Sequence, residues 1–248
     1  MKTIIFTSAL LATLCAGPAF AEPATTHQAS FNLGVTTDYR YRGISQTRFN
    51  PALQGGADYT HVPSGLYAGA WASTIKWTND AGGNGDVEID LYAGKRGDIA
   101  AKVSYDIGIL RYAYPSNGLA GVPGFVNANT TEVYGQLGAG PAYVKYAHAV
   151  TDLFGFAGSK NSGYLDLGAN LEAAPGTIVN LHAGRQTVKN TSAASYTDWK
   201  LGVTRDLGFA SASLAIIGTN ASRSAYASPA NGKFLGKKAL VLTVGKTF

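Results

Sequence analysis

Residues 29–41 read ASFNLGVTTDYRY. Phe31, Leu33, Val35, Tyr39 and Tyr41 fall on one parity, and Asn32, Gly34, Thr36, Asp38 and Arg40 on the other. That period of two is the mark of a strand with an apolar medium on one side and a wet one on the other. The far end of the chain has the same grain: Ala239–Phe248 alternates Leu240, Leu242 and Val244 with Val241, Thr243 and Gly245 and stops on Phe248. A closing strand that ends on a bare aromatic resembles the terminal signal by which bacterial outer-membrane barrels are recognised for insertion.

The N-terminus agrees. Residues 1–21 carry an early cation, Lys2, an apolar run from Ile4 to Ala16, and the small-x-small site Ala19, Phe20, Ala21. This is the build of a secretory signal peptide cut before Glu22, with an apolar run below the roughly 18 residues a spanning helix needs. Residues 22–28 are then a short periplasmic segment, and 29–248 a single barrel domain. Cys15 is the one cysteine and lies in the leader, so disulfides and thiolate metal sites are excluded from the mature chain.

Only 14% of the 248 residues are charged, while 31 are Gly and 14 are Tyr, a composition of strands and turns. Without Lys2 the 20 Lys and Arg against 15 Asp and Glu leave a formal charge of about +4, with the cations scattered among acids. A nucleic-acid partner is not expected from such a pattern. After the leader no apolar run is long enough for a spanning helix, so a membrane role requires a closed barrel.

Twelve segments alternate in this way: Ala29–Tyr41, Ala52–His61, Leu66–Trp77, Val87–Lys95, Ala100–Tyr114, Thr131–Ala139, Ala142–Val150, Gly163–Glu172, Thr177–Thr187, Tyr196–Arg205, Phe209–Thr219 and Lys238–Phe248. Their connections switch between tight turns and long Gly/Asn/Ser-rich loops, the short-below, long-above pattern of an outer-membrane barrel. The expected fold is all-β, a transmembrane antiparallel up-and-down barrel of 12 strands. Phe31, Tyr59, Tyr67 and Phe248 are expected in a lower aromatic girdle, and Tyr39, Tyr41, Trp77 and Trp199 in an upper one.

The first two segments continue from Val35 through Asp38, Tyr39, Arg40, Tyr41, Arg42, Gly43, Ile44, Ser45 and Gln46 to Pro51, Ala52, Leu53, Gln54, Gly55, Gly56, Ala57, Asp58 and Tyr59. Further matches are Gly65–Gly69 with Trp71, Glu88–Gly94, Tyr105–Gly108 and the ending Lys246, Thr247, Phe248. The chain thereby resembles the TorF family of porins, also catalogued as Gcw_chp, conserved bacterial outer-membrane barrels. The resemblance spans nearly the whole mature chain, is densest before Pro115, and implies a bacterial outer-membrane location and a porin function. Its partners would be outer-membrane lipid, the barrel-assembly machinery acting on the strand that ends at Phe248, and small solutes.

The inward parity holds Asp38, Arg40, Asp58, Lys76, Glu88, Asp90, Lys102, Asp106, Glu132, Lys145, Asp166, Asp198 and Lys200, with Arg42 at the upper rim. Charges facing lipid would cost about 2–4 kcal/mol each for Lys or Arg near the midplane, so their shared parity points to a wet or ion-paired lumen. Lys76 is expected opposite Glu88. Two readings of this set stay open: charges paired to hold a narrow barrel in shape, or charges that select a solute. Twelve strands lie between the filled eight-stranded barrel and the open porins of 16–18 strands. The expectation is therefore a narrow bore, constricted by loop 115–130 folding inward.

Two other classes compete. An outer-membrane lipid hydrolase would need Ser and His on the outer wall near one interface; of His27, His61, His148 and His182, His148 is best placed, with no dyad spacing beside it. A surface adhesin would act through the long loops. No cofactor is expected. Asp80, Asp86 and Glu88 are too interrupted by glycine for a metal site, and Gly82, Gly83 and Gly85 have no following helix to make a phosphate cradle.

Overall fold

The computed structural model describes residues 25–248, so the leader and its cleavage site lie outside the described residues. Twelve antiparallel strands close into a barrel: β1 (His27–Thr36), β4 (Ala52–His61), β5 (Leu66–Thr74), β6 (Val87–Ala100), β7 (Val103–Ala113), β8 (Thr130–Ala139), β9 (Ala142–Ala149), β10 (Gly163–Ala174), β11 (Thr177–Thr187), β12 (Tyr196–Asp206), β13 (Ser211–Thr219) and β14 (Ala239–Thr247). Two further strands, β2 (Arg40–Tyr41) and β3 (Ile44–Ser45), pair only with each other. Closure runs through β1 and β14, from Asn32↔Thr247 to Thr36↔Thr243. Phe31 and Phe248 exchange backbone hydrogen bonds of 3.1 and 2.8 Å at its end. With every strand paired on both sides, the wall has no open edge.

Period two sorts the wall as the sequence implies. Phe31, Leu33, Val35, Leu91, Ile107, Leu137, Leu167, Leu201, Leu214 and Leu242 are all exposed on the outside. A continuous apolar belt of this kind is foreign to a water-facing surface and suits lipid. Among the described residues the α-helices are α1 (Trp77–Asp80) and α2 (Arg223–Tyr226), each four residues long.

The short turns and both ends of the described chain share one rim; the long connections share the other. Bulges at Asp98/Ala100 and Glu172/Ala174 sit beside the short turns. On the opposite rim the long loops pack into three small apolar cores. One joins Trp71, Ile75, Tyr112, Tyr114 and Leu119; a second Ile44, Tyr196 and Leu235; a third Leu153, Val188 and Ala194. Asp80 ties this cap together, paired with Arg48 and accepting from Ser228 Oγ at 2.9 Å.

Candidate functional site

After Thr36 the chain leaves the wall and enters the bore. Asp38 holds the neck of this excursion, accepting from Ser45 Oγ at 2.6 Å, Thr47 Oγ1 at 3.2 Å and Arg40 Nε at 2.8 Å. Strands β2 and β3 then form a ribbon whose two-residue turn is Arg42 and Gly43, with φ of 47° and 78°. A hairpin loop with positive φ at both residues has the twist of a type I′ turn. Glycine is required at its tip: a Cβ on Gly43 would stand 2.4 Å from Thr219 Cγ2 and 2.8 Å from Asp198 Cβ. The ribbon therefore spans the lumen from β1 to β12 and β13. Ser45 is 0% exposed.

Side chains moor the ribbon to the wall. Arg42 donates to Glu132 on β8 and Gln186 on β11, each at 2.7 Å, with its guanidinium 4.2 Å from the Tyr164 ring centroid. Arg40 donates to the Lys237 carbonyl at 2.8 Å, and Tyr39 to Glu88 at 2.5 Å. Burial pushes the Tyr39 phenol well above its ordinary range and the neighbouring Glu88 adds to the shift, so Tyr39 stays a donor. Tyr41 meets the Tyr112 hydroxyl, which also donates to Glu132 at 3.1 Å.

Beneath the ribbon is a cavity of about 450 Å³. It runs from Tyr39–Gly43 down to Asn170, Ile178, Ser213 and Gly245 at the short-turn end. The bore around it carries paired polar groups. Tyr67 donates to Asp106 at 2.5 Å and meets Tyr134; Tyr92 donates to Asp58 at 2.6 Å. Lys145 Nζ lies 4.0 Å from the Tyr134 ring centroid. His182 bridges two acids, Nδ1 to Asp166 at 2.9 Å and Nε2 to Asp198 at 2.8 Å, and Tyr164 donates to Asp198 at 2.9 Å.

The structure thus gathers Asp38, Arg40, Arg42, Asp58, Glu88, Asp90, Asp106, Glu132, Lys145, Asp166, Asp198 and Lys200 inside the barrel. Two expected members are elsewhere. Lys76 follows the end of β5 and is paired with Asp86 at 2.9 Å on the exposed rim, so Ser73 rather than Lys76 stands across from Glu88. Lys102 sits in the β6–β7 turn with φ of 66°, because β6 runs on past its expected end at Lys95 to Ala100 and β7 begins only at Val103.

The girdle also changes. Phe31, Tyr59, Trp199 and Phe248 face outward. Tyr39 and Tyr41 travel into the bore with the ribbon, Tyr67 is buried against Asp106, and Trp77 belongs to α1 in the cap, edge-on to Tyr114 at 5.1 Å. The constriction comes from the first loop, and no residue of 115–130 lines the cavity. Sequence reasoning also passed over His182, Tyr164 and Gln186 as lumen groups. The signal was available: all three share the inward parity of their strands. His148, the candidate lipase residue, pairs with Asn161 Oδ1 at 3.2 Å on the outer wall.

A closed twelve-stranded barrel with an apolar exterior, a charged and tyrosine-lined bore and an in-folded first loop defines a porin-type barrel. The chain belongs to the Gcw_chp family, described as bacterial protein of unknown function, whose model matches residues 20–248. No curated protein matches it in sequence. Among solved structures it is similar to the KdgM porin, with a TM-score of 0.54 at 6% identity over 88% of this chain and 98% of that one. It is also similar to the NanC porin, with a TM-score of 0.52 at 10% identity over 89% and 98%. KdgM has also been solved in complex with disordered oligogalacturonate. At such identities the likeness is one of fold.

Proposed function

We propose that the protein is a narrow porin of the bacterial outer membrane, passing small solutes through a bore that its own first loop occludes, in keeping with the TorF porins it resembles. The observation that carries this reading is the cavity of about 450 Å³ reaching from the short-turn end to the underside of the ribbon, inside a wall whose exterior is apolar. A barrel that only held its shape would fill that volume with side chains. The partners follow from the same reading: membrane lipid around the belt, assembly machinery at the strand ending on Phe248, and small solutes in the bore.

The bore is richer in acids than in cations, with Asp58, Glu88, Asp90, Asp106, Glu132, Asp166 and Asp198 on its walls against Lys145, Lys200 and the ribbon arginines. Uncharged and cationic solutes are therefore favoured over anions such as the oligogalacturonate of KdgM. Planar-bilayer recordings of purified protein, with reversal potentials across a salt gradient, test both points. The expected result is small discrete conductance steps with cation preference. A protein that floats with outer-membrane vesicles, migrates heat-modifiably and never conducts would overturn the pore reading.

A further inference from the structure

Asp90 is the lumen carboxylate with the least to hold it. It projects inward from β6, paired across the strands with Trp71 on β5 and Tyr112 on β7. It is 9% exposed, lines the cavity, and its Oδ1 is buried with no hydrogen-bond partner. Its neighbours are better served: Asp58, Glu88, Asp106, Asp166 and Asp198 each engage a Tyr hydroxyl or His182. Glu132 repeats the pattern by halves, with Oε2 taken by Arg42 and Tyr112 and Oε1 buried and unpartnered.

A buried carboxylate acceptor without a donor is costly and calls for a cation or a donor from outside the chain. The surroundings decide which kind. Trp71 and Tyr112 flank Asp90 on the adjoining strands, Tyr39 packs edge-on to Trp71 at 5.4 Å, and Leu110 lines the same cavity. Aromatic faces attract cations and accommodate their alkyl groups. A hard metal ion needs six or more oxygen ligands, and no His/Cys/Asp/Glu grouping suited to a metal occurs among the described residues.

We propose that Asp90, with Trp71, Tyr39 and Tyr112, forms a binding site for a small primary organic ammonium ion beneath the ribbon, entered from the short-turn end. The ammonium N–H groups meet Asp90 Oδ1 and the alkyl part lies against the rings. The proposal deepens the pore reading by naming a solute class, and rests on it only for how the ligand arrives.

The test uses folded barrel in detergent, its folding checked by heat-modifiable migration, with Trp77→Phe and Trp199→Phe leaving Trp71 as the sole tryptophan. Trp71 emission is followed while n-butylammonium, n-butanol, butyrate or KCl is added. Saturable binding of butylammonium, at least tenfold tighter than butanol and absent for butyrate, is expected. Asp90→Asn should weaken it tenfold or more. Equal binding of butanol, competition by potassium at matching concentration, or an unaffected Asp90→Asn would overturn the proposal. Should Asp90→Asn fail to fold, the charge dependence of the three four-carbon ligands on the unsubstituted site decides alone. Emission does not require conductance: a silent protein that binds butylammonium sinks the pore and keeps the site, and a conducting protein that ignores it does the reverse.

Discussion

The two halves of the barrel share one wall and differ in what fills it. In the long-loop half the interior is packed like a soluble core: Ile75, Leu119, Leu153, Glu88, Glu132, Thr47, Ser45 and Ser162, all fully buried, lie there. In the short-turn half the inward side chains of Asn170, Asn180 and Ser213 are only half-buried and border the cavity. Strand pairing alone closes the wall, and it does so equally in both halves. What blocks passage is the separate structure of ribbon and cap, so a change of permeability needs movement of residues 37–51 and their loops rather than of the strands.

Removing the ribbon breaks the contrast most completely. Thr36 and Ala52 are already paired across β1 and β4, so a short turn can replace 38–50 without disturbing the wall. The expected outcome is a several-fold increase in single-channel conductance relative to the full chain. Unchanged conductance would show that the cap, and not the ribbon, occludes the bore. Arg42→Ala is the next largest change, leaving Glu132 buried without its cation. Breaking a buried pair from one side costs about 3–5 kcal/mol, to be read as a lower urea midpoint of the refolded barrel. Glu132→Gln, which keeps an acceptor for Arg42, should cost less.

Leu119→Ala probes the cap itself. Leu119 is fully buried in the core with Trp71, Ile75 and Tyr114, and truncating such a leucine costs about 2–5 kcal/mol. Because the wall does not depend on it, the loss should appear as faster amide exchange in the loops at 77–86 and 115–129, with the strand amides still protected. Uniform loss of protection would mean that cap and wall unfold as one unit.

The wall was legible in the sequence and the filling was not, for a physical reason. Period two reports which side of a surface a residue faces, and this placed Phe31, Leu33 and Val35 outside and Glu88, Asp90 and Asp166 inside. It does not report which surface the strand belongs to. The alternation from Val35 to Tyr41 is interrupted only by Thr37 and resumes with the same parity, although the chain turns into the bore there, because the ribbon is itself a strand pair with the same period. Tyr39 and Tyr41 therefore read as girdle residues and are ribbon residues. Tyr67 lies at girdle height, but its parity, next to outward Leu66, points inward. The strained pair at the ribbon tip, Arg42 with φ of 47° before Gly43, depends on Glu132 and Gln186, 90 and 144 residues away, and no local pattern carries that.

Asn180→Ala sharpens the same contrast from the hollow side, with the smallest expected effect. Asn180 donates to Asn170 at 2.7 Å and accepts from Thr204 at 2.7 Å, and Thr204 reaches Ser213 at 3.2 Å. The two bonds of Asn180 itself are as short as those of Arg42, so bond geometry alone would assign the two sites equal weight. Their surroundings differ: both sites border the cavity, but the Glu132 side chain is 2% exposed whereas Asn170, Asn180 and Ser213 are half-buried, and once Asn180 is truncated water can take up the donors and acceptors it leaves. The loss then falls to the net worth of neutral hydrogen bonds, about 0.5–1.5 kcal/mol, against the larger penalty for stranding Glu132. Urea unfolding of the two variants under one set of conditions measures the difference. If Asn180→Ala costs as much as Arg42→Ala, water does not reach the lower bore, and the two halves are packed alike.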